Sequence, residues 1–230
     1  RNYGTIHKSL CRLECGDIMN KELINYIETG IIPKYSEFDK GHGIDHVRSV
    51  IDESLKLAVN CNVNLDYAYV IAAYHDLGLC EGREFHHIIS GKILEADKQL
   101  LQWFSDAEIK LMKEAVEDHR ASSKNPPRSI YGKIIAEADR DIIPLKIIRR
   151  TIQYSIANSP SNDKEHHWDN LLNHMAEKYA EGGYMKLWFE NSKNAERLRE
   201  LRKIIANRKQ LRKIFDEFYS IELEEQCLAH

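Results

Sequence analysis

Residues 70–78, VIAAYHDLG, set an adjacent His75–Asp76 pair at the end of an apolar segment. Neighbouring residues on a helix point about 100° apart, so both side chains can reach one ion only near a helix end or kink. Gly78 is expected to supply that end. Upstream, Asn64 suits an N-cap, and Ala68, Ile71, Ala72 and His75 fall on one face at helical spacing. His75 therefore faces the interior, and whatever folds around it must satisfy a buried imidazole and a buried carboxylate.

The 230 residues can bury one good core, and 43% hydrophobic with 30% charged content reads as an ordinary globular protein. A formal net charge of −3 gives no general drive toward a nucleic acid duplex or an anionic membrane, so any anion recognition is local. No apolar run approaches the ~20 residues that span a bilayer, and no charged n-region precedes an apolar h-region. A cytoplasmic protein is expected. Cys11, Cys15, Cys61, Cys80 and Cys227 form an odd, scattered set that agrees with a reducing compartment. Cys11 and Cys15 have no second Cys or His pair nearby and read as free thiols rather than structural zinc ligands. The chain does not begin with Met, which suggests a processed or excerpted end, and Met19 before an amphipathic helix would make a natural alternative start.

In chain order, Asn20 caps a lid helix with Leu23, Ile24 and Ile27 on one face, which Gly30 and Pro33 are expected to end. Val47, Ile51, Ser54, Leu55 and Ala58 then repeat with helical period; His46 lies on the neighbouring stripe with Val50, and His42 about one turn earlier, in or near the loop. A helix begins near Phe85, where His87, Gly91 and Leu94 are a turn apart and Gly91 permits close approach of a helix or an ion. Ser105 with Glu108 is a capping box, and Ile109, Met112, Val116 and His119 form one inward face. Pro126 and Pro127 forbid a helix through the next loop, and Ser129 caps a segment where Ile135, Asp139 and Ile142 share a face before Pro144. Asp139 on a buried face needs an ionic, hydrogen-bonding or metal partner. Helices are expected over 145–160, 166–181 and 184–221, the last a packing helix with a solvated basic face, with an anionic partner or a dimer contact as the alternative. No segment alternates with period two. The fold class is all-α, one structural domain read as an N-terminal segment and lid helix (1–36), a core (37–145) and C-terminal helices packing on it (146–230).

His46, His75, Asp76, His87, His119 and Asp139 sit on inner faces or inner ends of successive helices, and four imidazoles with two carboxylates suit Fe, Mn, Co, Ni or Zn. Six ligands suggest two ions, with Asp76 between them. The order His, His-Asp, His, His, Asp resembles the HD superfamily of metal-dependent phosphohydrolases: HVRSV is similar to its first ligand helix, AAYHDLG to its defining doublet and EADRD to its terminal aspartate, over about residues 37–145.

The resemblance implies an HD-type helical bundle with a C-terminal extension, in which His46, His75, Asp76 and Asp139 hold one metal. It implies that His87, before Gly91, and His119 belong to a second, with His86 the lesser choice. Where many members carry a Lys three residues after the doublet, this chain has Leu79, and Arg83 is the nearest substitute. Arg120, Arg128, Lys133 and Arg140 are further candidate phosphate cations, and His42 or Glu84 a candidate proton donor to the leaving group. The expected activity is hydrolysis of a nucleotide or other small phosphorylated metabolite through a metal-bound hydroxide. The alternatives are a dinuclear iron oxygenase on the same ligands and a nucleotide-binding regulatory module. A small phosphorylated partner, no duplex, no membrane and a possible homodimer complete the expectation.

Overall fold

The computed structural model describes residues 19–39, 41–120, 123, 125–159 and 163–228. Cys11 and Cys15 lie outside the described residues, as does the side chain of Cys227; Cys61 and Cys80 are free thiols. Ten α-helices and no strand occur among the described residues, an all-α protein as its periodicity requires. No helix among them is long and apolar enough to cross a membrane. Two compact units are present, one reaching Asp118 and including Arg128–Ile135, the other taking His119–Pro127 and everything from Ala136.

The first unit holds α1 (Lys21–Tyr26), α2 (Ile44–Asn60), α3 (Leu65–Tyr74), α4 (His86–Ala96), α5 (Asp106–Glu117) and most of α6 (Ile130–Ala138). At its centre is α3, eight of whose residues are buried, with α2, α4 and α5 packed around it. A helix covered on several sides is apolar nearly all round, so periodicity marks it less clearly than its length and cap do. Asn64 accepts from the Tyr67 amide at 3.2 Å and starts it. The Ser105–Glu108 capping box is formed at the start of α5, and Ser129 accepts from the Gly132 amide at α6.

The first helix departs from expectation. Gly30 and Pro33 do not end it: α1 runs on through a π-turn (Ile27–Ile31) and a 3₁₀ turn (Ile32–Glu37). Burial of Ile27, Ile31, Ile32 and Tyr35 holds the backbone helical, and Pro33 falls in the first turn of the 3₁₀ segment, where its missing N–H leaves no bond unmade. Two half-buried polar hubs fasten this segment down. Glu28 receives the Arg48 guanidinium from α2 and, at 2.8 Å, the Tyr69 hydroxyl from α3. Asp97 accepts from the hydroxyls of Tyr26 and, at 2.6 Å, Tyr74.

The second unit contains α7 (Pro144–Asn158), α8 (Lys164–Lys178), α9 (Lys193–Ala206) and α10 (Arg208–Leu228). Ile148, Ile152, Leu171, Met175, Leu201, Leu211 and Phe215 form its solvent-free centre. The single helix expected over 184–221 is two helices, and it begins later. Gly182 adopts φ +82°, a left-handed turn that favours glycine, and Ser192 caps α9 by accepting from the Ala195 amide at 3.0 Å. Asn207 then ends α9 and starts α10: its amide donates to the Lys203 carbonyl at 3.1 Å while its side chain accepts from the Gln210 amide at 3.1 Å.

Phe215→Ala should destabilise the second unit by about 3–5 kcal/mol, and the half-buried Phe218→Ala by clearly less, read by urea unfolding. Burial pushes the Glu28 carboxyl up, but hydrogen bonds from Arg48 and Tyr69 outweigh it and hold the group below its ordinary value of 4.5. The sign follows from the lowered folded pKa: ionised Glu28 stabilises the fold above the unfolded value, and that stability is lost as pH falls through the folded one. Arg48→Met should therefore flatten the acid side of the stability–pH curve below about pH 5, measured by thermal unfolding at stepped pH.

Candidate metal centre

Three helix ends converge in the first unit: the first turn of α2 with His46, the last turn of α3 with His75, and the first residue of α4, His86. The backbone leaves helical geometry at Asp76 (φ −111°, ψ 4°), so the adjacent imidazole and carboxylate turn toward the same space. His75 is fully buried, and its Nδ1–H donates to the Ala72 carbonyl at 2.8 Å, which leaves the lone pair on Nε2. That Nε2 lies 3.3 Å from His46 Nε2. Asp76 Oδ2 is 3.4 Å from the first and 3.5 Å from the second.

Donor atoms 3.3–3.5 Å apart are spaced like adjacent ligands of a tetrahedral ion with bonds of about 2.0–2.1 Å. The donor set, two imidazoles and a carboxylate, fits a divalent transition metal. The other carboxylate oxygen faces elsewhere. His86 gives its Nδ1–H to the Arg83 carbonyl at 2.8 Å, and its Nε2 stands 3.6 Å from Asp76 Oδ1. One carboxylate thus presents its two oxygens to two separate imidazole groups.

His86 and not His87 occupies this place, contrary to the sequence expectation, and helix periodicity explains why. His86 shares a face with Ser90, whose hydroxyl accepts from the Gly78 amide at 2.8 Å and holds that face against the 3₁₀ turn Leu77–Glu81. His87 shares a face with Gly91, and a Cβ there would meet Glu117 Cγ at 2.8 Å and Lys113 Cγ at 3.2 Å, so that face is turned toward α5. Gly91 admits a helix rather than an ion. Gly78 likewise does not end α3; a Cβ on it would lie 2.2 Å from the His86 carbonyl oxygen, and its absence lets α4 start close to the doublet.

Tyr35 is the residue that sequence reading missed. Its buried hydroxyl donates to the Ala73 carbonyl at 3.0 Å and accepts from the Asp76 amide at 3.3 Å, and its ring stacks 6.4 Å from that of His75. It thereby holds the last turn of α3 in the shape that points His75 and Asp76 together. No local pattern marks it, because it lies beyond Pro33 in the turn expected to be loop.

The remaining predicted residues divide. Arg83 and His42 meet, Nη2 donating to His42 Nε2 at 2.9 Å, while His42 Nδ1–H donates to Asp39 at 3.0 Å. The His42 ring is 5.8 Å from that of His46, so the Arg83–His42 pair borders the centre. The His42 hydrogen bond and the Gly41 amide hold the Asp39 carboxyl below its ordinary value. Glu84 is exposed and Lys133 half-buried. Arg128, expected to meet phosphate, is committed to the end of α5 instead, donating from Nε to Asp118 at 2.9 Å and from Nη2 to Glu117 at 2.9 Å and the Glu114 carbonyl at 2.7 Å.

His119, Arg120, Asp139 and Arg140 belong to the second unit. His119 is buried, two residues beyond α5, and Asp139 immediately follows α6 at a half-buried position, so it ends a helix rather than lying within one. Arg140, just past α6, donates to the Ala136 carbonyl in the last turn of that helix. The segment after α6 is clasped by Asn194, which donates to the carbonyls of Glu137 at 2.8 Å and Arg140 at 2.7 Å. Glu137 accepts from the Trp188 amide at 2.8 Å and from the Ser192 hydroxyl; burial pushes its carboxyl up against these two bonds.

Residues 43–141 match the HD domain family model, a span holding the doublet, His46, His86 and Asp139. This part of the chain is an HD domain. The chain is similar to a solved structure described as a predicted HD superfamily hydrolase from an uncultured Thermotogales bacterium, at 20% identity over 67% of this chain and 86% of that one, with a TM-score of 0.45. No curated protein matches it. An HD domain whose histidines and aspartate gather at one place supports a metal-dependent hydrolase.

Tyr35→Phe keeps the ring and removes both hydrogen bonds. It should weaken Mn(II) or Zn(II) binding by about 10–100-fold with the helical content unchanged, measured by competition with a fluorescent chelator.

Proposed function

We propose that the HD domain hydrolyses a phosphoester or phosphoanhydride of a nucleotide or another small phosphorylated metabolite. The observation that carries this reading is the Asp76 carboxylate, with Oδ2 beside His46 and His75 and Oδ1 beside His86. The proposed ligands within the first unit are His46, His75 and Asp76 for one divalent ion, with His86 beside the other Asp76 oxygen for a second, drawn from Fe, Mn, Co, Ni or Zn. Ions held there lower the pKa of coordinated water and offset charge on phosphate oxygens.

The chain's own residues supply position and charge. His75, tied through Nδ1 to Ala72, and His86, tied through Nδ1 to Arg83, each present a fixed lone pair. Arg83 is the proposed phosphate cation, because a guanidinium has five N–H donors in a planar fork and its hydrogen bonds to side chains among the described residues use Nη2 alone, on His42. His42, with its proton directed to Asp39 and its lone pair to Arg83, serves as the orienter of Arg83 rather than as a proton donor. Glu84 remains the candidate donor to the leaving group, and Arg120, Lys133 and Arg140 further candidate cations. The proposed setting is cytoplasmic, the partner a small molecule rather than a duplex or a membrane; a homodimer through the basic C-terminal helices is part of the proposal.

Protein purified without chelator should carry one to two transition-metal ions per chain by elemental analysis and release inorganic phosphate from a panel of nucleotides and sugar phosphates. His75→Ala should lose both metal and phosphate release, and His86→Ala should lose metal more than His87→Ala does. Wild-type turnover in His75→Ala overturns the assignment, and substrate-dependent oxygen uptake without phosphate release moves it to the iron oxygenase.

A further inference from the structure

The second unit contains a cavity of about 710 Å³ between α7 and α8, within the range of small-molecule sites. Its α7 wall carries Ile147, Arg150 and Tyr154 at successive turns, and its α8 side carries Asn170, His174 and Tyr179. Three features of this wall point to a ligand. The first is charge. Arg149, next along α7, is paired with Glu222 at 2.5 Å and Glu225 at 2.9 Å, whereas Arg150 has no carboxylate partner among the described residues. The acid on the rim, Asp141, is already held by Lys146 at 2.5 Å.

The second is aromatic surface. Tyr154, 71% exposed on the cavity wall, offers a ring on which a planar ligand can stack. Tyr179 is nearly buried opposite, edge-on to the His174 ring at 5.9 Å. Its hydroxyl is pushed up to about 12, by burial and then by Tyr184, with the Arg150 guanidinium acting against them. Arg150 and Tyr179 line the same cavity. The third is neutral polarity. Burial and then Lys178 lower the His174 pKa, so its imidazole offers a hydrogen bond without adding positive charge.

We infer that this cavity binds a planar aromatic monoanion, its ring between Tyr154 and Tyr179 and its anionic group on Arg150. Arg150 is the one cation among the lining residues, Lys178 standing instead over the Tyr179 ring at 5.1 Å, and it sets the anionic group at a single negative unit; the apolar Ile147 and the two tyrosines set the ring. The inference rests on the second unit alone and stands independently of any reaction at the HD domain.

The test is titration of the intact protein with 1-naphthoate, followed by ligand fluorescence and calorimetry, beside 1-naphthalenemethanol and acetate. Saturation at one naphthoate per chain is expected, with the uncharged ring and the ringless anion each binding at least about tenfold more weakly, and with Arg150→Gln and Tyr154→Ala each losing about tenfold. Both residues are exposed, so both variants should unfold at the wild-type temperature, which separates loss of the site from loss of the fold. Equal naphthoate affinity in wild type and both variants, or no saturable binding by the wild type, overturns the inference.

Discussion

Two imidazole nitrogens held 3.3 Å apart beside a carboxylate are the constraint to which the first unit answers. The His75 Nε2 carries a lone pair because its Nδ1–H is already given to a carbonyl, so at that nitrogen it accepts, from a proton on the facing His46 Nε2 or from a bound cation. Much of the surrounding structure serves to hold them so. Tyr35 shapes the end of α3, the Ser90–Gly78 bond draws α4 against the 3₁₀ turn, and the lack of a side chain at Gly78 makes that approach sterically allowed.

Polar hubs do for this unit what apolar packing alone does less specifically. Glu28 joins the π-turn after α1 to both α2 and α3, and Asp97 joins α1 to the last residue of α3 through two tyrosines. Apolar contacts tolerate a helix sliding by part of a turn, whereas a half-buried carboxylate with two designated donors does not. Because α2 and α3 both carry proposed ligands, fixing their register against α1 also fixes the distance between His46 and His75.

Much of the centre was legible in the chain. The spacing of His46 from its helix start and the His75–Asp76 doublet at the end of an apolar run needed only helix geometry. The choice between His86 and His87 was not legible in the same way. Adjacent residues on a helix differ by about 100°, so which of them faces Asp76 depends on where α5 lies relative to α4. That is a tertiary fact, recorded in the contacts of Gly91 with Lys113 and Glu117. Arg128 teaches the same lesson: a cation in a turn near a ligand helix reads as a phosphate contact until the carboxylates of Glu117 and Asp118 are found beside it.

Local physics written in the sequence therefore determined most of the helices and their caps at Asn20, Asn64, Ser105 and Ser129, because each depends on neighbours within about one turn. Breaks within long apolar patterns were less well determined. The run through Gly30 and Pro33 stayed helical because burial outweighed weak local propensity, and the break at Asn207 depended on a single side chain closing one helix while opening the next. Only the tertiary structure decided that His42 and Arg83 form a pair, that Tyr35 supports the doublet, and that Arg150 faces a cavity. Each of these joins residues dozens of positions apart in the chain or sets a side chain against a space, and no local pattern records either.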